Sequence, residues 1–209
     1  MKNDEFVYRM KNVLNMKTYY VMGGYGARLG VDYVNYDLQY NVQHRDQIEK
    51  KYNTKPLTMG FDCVCLMKSV LFWGFTGDTS KPFGGAVYDK TTDFSIAEIE
   101  KNSTRSNDFE NIEIGEFVFI GNNHIGVYIG NGEVIESTPA WKCGVQRTLL
   151  PWRNSTNYEK LPVRAWDFHG KYNKIDFVKC TAAPADVTAL KNENRVLKDK
   201  INAALGVLK

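Results

Sequence analysis

Cysteine is scarce. The four present among 209 residues, Cys63, Cys65, Cys143 and Cys180, are too few and too unevenly spaced for a secreted disulfide framework, so reduced thiols are expected. Cys63 and Cys65 lack the second paired knuckle that structural zinc prefers, and neither a metal nor a cofactor is expected. No uninterrupted apolar run reaches the length of a signal peptide or a membrane span. That predicts a protein made in the cytoplasm and kept there until something else releases it, with no membrane partner. Charge of one sign is also weak: 27 Lys and Arg against 24 Asp and Glu leave +3 at pH 7. The basic residues are scattered rather than drawn into a stripe with interleaved aromatics, which argues against nucleic acid. A slight positive balance suits an anionic polymer such as a cell wall, although an ordinary solvated surface is the commoner reason for it. Internal repeats and low-complexity tracts are absent.

What is present is enough for one good core with an appendage. MKNDEFVYRMKNVLNMK, at the start, carries Phe6, Val7, Met10 and Leu14 on one helical face and charges on the other, predicting an amphipathic helix. YYVMGGYG, residues 19–26, has paired glycines that permit tight turning and close approach. A polar, tyrosine-rich segment then runs to residue 60, with a short helix expected near QHRDQIEKKY, and reads as an insertion or lid. A buried helix over 62–73 follows, ended by Gly74 and the glycine-rich loop GDTSKPFGGAV. From residue 114 the period switches to alternation, predicting strands EFVFIG, HIGVYIG, EVIEST, VQRTLL and LPVRAWDF. Helices first and strands afterwards give an α+β domain whose buried helix packs on an antiparallel sheet.

The chemistry centres on GFDCVCLMKSVLFWG, residues 60–74. Asp62 is a favourable N-cap, which puts Cys63 in the first helical turn, where unpaired N–H groups and the positive end of the helix dipole lower a thiol's pKa. Two small buried apolar cysteines are the alternative reading. A nucleophile needs a base, and the chain has three histidines. His44 in the insertion and His169 beside Gly170 are expected to be solvated. His124 opens HIGVYIG, and Gly126 on the same face leaves space for something bulky, such as a helix terminus. The hairpin that follows decides whether Glu136 supports it. A two-residue Asn131–Gly132 loop would pair Gly130 with Glu133 and turn Glu136 away. A three-residue loop of Gly130, Asn131 and Gly132, with a bulge, pairs Ile129 with Glu133 and Gly126 with Glu136, which puts His124 and Glu136 on one face. The three-residue loop is expected; an outward surface carboxylate is the alternative for Glu136.

These residues resemble the NlpC-type cysteine peptidases of bacterial cell walls, in particular their versions in phage endolysins. YVMGG at 20–24 is similar to the family's Tyr-x-Trp-Gly-Gly element, FDCVCLM at 61–67 to its Asp-Cys-Ser-Gly-Leu-Val helix start, and HIGVYIGNGEVIES at 124–137 to its histidine hairpin. The resemblance covers most of the first 170 residues and implies a papain-like NlpC-type domain, with Cys63 as nucleophile, His124 as general base and then acid, and Glu136 as orienting residue. Tyr20 then lines the site and helps polarise the substrate carbonyl, the Cys63 amide contributes to the oxyanion hole, and Asp62 and Trp141 contact substrate. The implied substrate is peptidoglycan and the reaction cleavage of a stem-peptide amide, typically between D-glutamyl and the following diamino acid. An N-acetylmuramoyl-L-alanine amidase, an acyltransferase and a non-catalytic wall-associated interaction protein are the other readings. Glutamate departs from the family's usual histidine, asparagine or glutamine in the third place, and is expected to hold the imidazolium more strongly. Val64 and Cys65 replace the family's Ser-Gly, and the insertion over 25–60 is longer than usual.

Residues 1–178 are therefore expected to form the catalytic domain and 179–186 a linker. Over 187–208, Val187, Asn194, Ile201 and Leu208 occupy one heptad core position, and Leu190, Leu197 and Ala204 the other. This predicts a C-terminal coiled-coil helix and a homodimer formed through it, the single asparagine favouring a parallel pair. A helix folded back on its own domain is the alternative.

Overall fold

The computed structural model describes residues 1–32, 39–152 and 160–178. The chain divides into two units, Met1–Phe177 and Val178–Lys209. Cys180, the expected linker 179–186 and the heptads of 187–208 lie outside the described residues.

The first unit begins with α1 (Asn3–Leu14), which carries acidic Asp4 and Glu5 in its first turn and Lys11 in its last, in keeping with the helix dipole. Phe6, Val7, Met10 and Val13 are buried, and Phe6 meets Phe117 edge-on with ring centroids 5.8 Å apart. A small sheet follows, of β1 (Thr18–Tyr20), β2 (Tyr25–Arg28) and β3 (Met59–Phe61) in the order β1-β3-β2. Strands this short offer no alternation to read, which is why the sequence does not announce them. Between β2 and β3 lies the short helix α2 (Arg45–Glu49), whose Ile48 packs with Val21 and Leu29 in a small core of its own. The Asn41 side chain brackets Met22: it accepts from the Met22 amide at 2.9 Å and donates to its carbonyl at 3.2 Å.

The helix of the cysteine motif, α3 (Cys63–Leu71), is buried along most of its length. A helix that the sequence did not predict, α4 (Ile96–Lys101), starts from a capping box of Ser95 and Glu98. The main sheet has six strands: β4 (Ser103–Ser106), β5 (Phe117–Ile120), β6 (His124–Gly130), β7 (Glu133–Thr138), β8 (Gly144–Leu149) and β9 (Phe168–Tyr172), ordered β4-β9-β5-β6-β7-β8. Every neighbouring pair is antiparallel. Alternation along β6 gives the sheet two apolar faces. Ile125, Val127 and Ile129 join the main core with α1 and α3, whereas Tyr128 joins Val118, Val134, Leu150 and Trp166 on the other side.

Two strand expectations are corrected. LPVRAWDF is not a strand: Val163 makes a single parallel bridge with Leu149, and the run continues as irregular chain to β9 at Phe168–Tyr172. Pro162 lacks an N–H for a ladder, and the backbone ties to β8 are Leu149 N–H to the Pro162 carbonyl at 2.8 Å and Arg164 N–H to the Leu149 carbonyl at 3.0 Å. The hairpin also differs from the three-residue loop. Gly130 pairs with Glu133 around a two-residue Asn131–Gly132 turn whose φ angles are 55° and 74°. A register shift between Tyr128 and Gly130 absorbs the extra residue, so Val127 still opposes Ile135 and the expected face is kept.

Candidate active site

Asp62 builds the setting of Cys63. Its Oδ1 accepts from the Cys65 amide at 2.6 Å, which caps α3, and its Oδ2 accepts from the Gly23 amide at 2.9 Å, which ties the paired-glycine loop to the same helix start. Both oxygens of a residue expected to touch substrate are thus engaged by backbone. Burial pushes its carboxyl above the ordinary carboxylate range, while those two amides pull it back.

Cys63 occupies the first turn of α3 and is 7% exposed. The expected lowering of its pKa is corrected: burial, and then the adjacent Asp62 charge, push the thiol up to about 12. The helix-start amides of Cys63 and Val64 and the backbone of Ile125 act in the expected direction, but desolvation is the larger effect. Cys63 packs in the same core as Ile125, the residue after His124.

Tyr20 sits on β1 opposite Phe61 of β3, two residues before Cys63. Burial and the nearby Cys63 and Asp62 raise its phenol well above the ordinary range, so the hydroxyl remains a proton donor. The other two tyrosines of this stretch are used elsewhere. Tyr19, pushed up to about 12 chiefly by burial and then by a hydrogen bond with Cys143, also lies under Lys51. Tyr25 stacks on Phe83 with centroids 4.4 Å apart.

His124 and Glu136 are in direct contact, with Nε2 to Oε2 at 2.6 Å. Glu136 is fully buried, which removes the reading of an outward surface carboxylate. Its second oxygen, Oε1, accepts from Thr148 Oγ1 at 2.7 Å and from Arg164 Nε at 2.8 Å. Arg164 also donates through Nη2 to Thr138 Oγ1 at 3.1 Å, and its guanidinium lies 4.6 Å from the centre of the exposed Trp141 ring. With Nε2 of His124 committed to Glu136, Nδ1 is the nitrogen left for a substrate or thiol proton. Among the described residues no hydrogen bond joins the Cys63 thiol to the ring: the thiol, held protonated by burial, meets the Ile125 backbone, and the ring is bonded to Glu136.

The space that Gly126 leaves is filled by an aromatic ring, not by a helix terminus. A Cβ there would fall 2.7 Å from Val134 Cγ1 and 2.9 Å from Trp166 Cη2. The Trp166 ring, seated over this gap, stacks on His124. Thr148, Arg164 and Trp166 went unnoticed in the sequence; the spacing of Arg164 and Trp166, two apart within LPVRAWDF, was the available sign that both look the same way.

The remaining histidines separate. His44 is exposed, as expected. His169 is not solvated: it is 2% exposed, bonds Glu116 through Nδ1, and meets the Asp108 carbonyl through Nε2 at 2.9 Å. Among the described residues, no hydrogen bond joins this second His–Glu pair to a cysteine.

A cleft of about 610 Å³ opens beside the first turn of α3, lined among others by Tyr25, Asp62, Cys65, Lys68, Trp73 and Asp93. Lys68, almost wholly buried, pairs with Asp93 there. A larger concavity of about 690 Å³, lined by Lys11, Trp141, Lys142, Arg147 and Pro162 among others, includes none of Cys63, His124 or Glu136. Among the described residues no group of three or more His, Cys, Asp or Glu is placed to hold a metal ion, and no helix is long and apolar enough to cross a membrane.

No protein-family model matches the chain, and no curated protein matches it in sequence. Solved structures similar to it include the following two. The P60 domain of an antigen from M. avium subspecies paratuberculosis is 20% identical, with a TM-score of 0.44 over 84% of this chain and 96% of that one. The peptidoglycan hydrolase RipB from Mycobacterium tuberculosis is 18% identical, with a TM-score of 0.44 over 84% of this chain and 67% of that one.

Proposed function

We propose that the protein is a thiol hydrolase of the NlpC type that cleaves an amide in the stem peptide of peptidoglycan, with Cys63, His124 and Glu136 as its catalytic set. The observation that carries this reading is the 2.6 Å bond between His124 Nε2 and a fully buried Glu136, on the strand whose next residue, Ile125, turns its backbone to the Cys63 thiol. A buried carboxylate that fixes one ring nitrogen leaves the other to act as base and acid.

In this mechanism His124 Nδ1 takes the Cys63 proton as Sγ attacks the amide carbonyl carbon. Substrate closes the gap that the resting site leaves open. The Cys63 amide and the Tyr20 hydroxyl donate to the oxyanion, and His124 returns the proton to the leaving amine as the C–N bond breaks. Water, deprotonated by the same nitrogen, then releases the acyl group and restores the thiol. The motif resemblance supports the D-glutamyl to diamino acid bond as the target, and an endolysin that waits in the cytoplasm before reaching the wall. A homodimer through residues 187–208 would then supply avidity.

Digestion of purified cell walls tests the reading. Wild-type protein releases new amino groups and Cys63→Ala does not; a mutant as active as wild type overturns it. Mass spectra of the muropeptides identify the bond, and loss of the whole stem peptide from the sugar would point to the amidase reading.

A further inference from the structure

A glutamate in the third place of a cysteine–histidine site raises a problem of charge. Buried and unshared, it would hold the imidazole ring as its cation, and a protonated ring cannot take a proton from sulfur. The chain contains a counterweight that the proposed catalytic set does not use. Arg164 donates Nε to Glu136 Oε1 at 2.8 Å, on the opposite carboxylate oxygen from the one facing His124. It is itself held by Thr138 and by the Trp141 ring, and its side chain is only 17% exposed.

Resting on the reading of Cys63 and His124 as nucleophile and base, we propose that Arg164 is a charge-balancing positioning residue that makes Glu136 act as a neutral acceptor. One guanidinium and one carboxylate sum to zero, so the pair orients the imidazole as a neutral amide side chain would, without fixing its proton. The other described groups on this side fit the account. Thr148, from β8, is neutral and also turned to Oε1; the Trp166 ring on the ring's face carries no charge; Asp62 and Cys63 stand at the start of α3, which packs on β6. Arg164 is thus the cation that offsets Glu136. The fork geometry of its guanidinium lets it hold Glu136 and Thr138 together, which a lysine ammonium would do less rigidly.

The test uses the full chain and the ring protons of its three histidines, followed by NMR as pH is varied in wild type, Arg164→Gln, Glu136→Gln and the double variant. Exposed His44 and the His169–Glu116 pair serve as internal references. Removing Arg164 leaves an uncompensated carboxylate and moves the His124 midpoint to higher pH. Removing the Glu136 charge leaves an uncompensated guanidinium and moves it to lower pH, and the double variant returns it close to wild type. Wall hydrolysis should fall about tenfold or more in each single variant, since each strands a buried charge, and recover to within about threefold in the double. Should Arg164→Gln fail to fold, Arg164→Lys, which keeps the charge and so the midpoint, carries the comparison with the double variant. Midpoints that shift the same way in both single variants, or a double variant no closer to wild type than the worse single one, overturn the proposal. The NMR reading needs no turnover, so a failure of the hydrolase reading would show separately, as variants that shift the midpoint in the stated directions while the wild-type protein leaves walls intact.

Discussion

The indole of Trp166 lies almost parallel to the imidazole of His124, with centroids 5.5 Å apart and an angle of 12° between the planes. Its Nε1 is buried without a hydrogen-bond partner among the described residues, so the ring serves through its face and bulk. Trp166→Phe should therefore cost little, within about 1.5 kcal/mol, whereas Trp166→Ala should cost about 3–5 kcal/mol by opening a cavity over Gly126. Denaturant unfolding measures both; equal losses would mean that the indole nitrogen matters.

Cys63 should behave as a buried, protonated thiol until substrate arrives. With its pKa raised to about 12, alkylation by an uncharged reagent should be slow at neutral pH and keep climbing past pH 9. The thiol prefers its neutral form when folded, so its contribution to stability is complete below the ordinary thiol range and is lost as pH rises from about 9 towards 12. A plateau in alkylation rate below pH 7 would instead reveal a thiolate–imidazolium pair already formed.

Asp62→Asn separates the two effects of the cap. Asparagine also caps helices, so stability should change by about 1 kcal/mol or less, while the negative charge beside the thiol disappears. The alkylation profile should then move to lower pH. Asp62→Ala should shift the profile the same way and cost a further 0.5–2 kcal/mol or so, because both the Cys65 and Gly23 amides lose their acceptor. An unmoved profile in Asp62→Asn would remove Asp62 as a cause of the raised thiol.

The two His–Glu pairs should part company on mutation. His169→Ala strands Glu116 inside the sheet and should destabilise by about 3–5 kcal/mol, with activity per folded molecule unchanged. His124→Ala should abolish wall hydrolysis at a smaller cost in stability. If His169→Ala also abolished hydrolysis in the folded fraction, the pair would be part of the chemistry.

The parts legible in the sequence are those fixed locally. A capping aspartate before a cysteine, and a histidine and glutamate on one hairpin face, depend on spacing within a turn or a strand pair, and α1, α3 and β5 to β8 follow from patterns within single segments. The hairpin register survived a wrong loop length because the bulge at Ile129 takes up the residue that the tighter turn gives back. Two kinds of feature escaped. Arg164 reaches Glu136 from 28 residues away, on a segment whose alternation looks like a strand but whose Pro162 denies it a ladder. The thiol's raised pKa depends on burial, which a helix-start argument ignores, and three-residue strands such as β1 and β3 are too brief to show a period.

The bracket that Asn41 places around Met22 extends beyond one contact. Met22 adjoins Gly23, Gly23 is fastened to Asp62, and Asp62 fastens the helix that presents the sulfur. The chain returning towards β3 is thereby linked to the start of α3. A change at Asn41 is therefore felt at the start of α3, carried by Met22, Gly23 and Asp62 in turn.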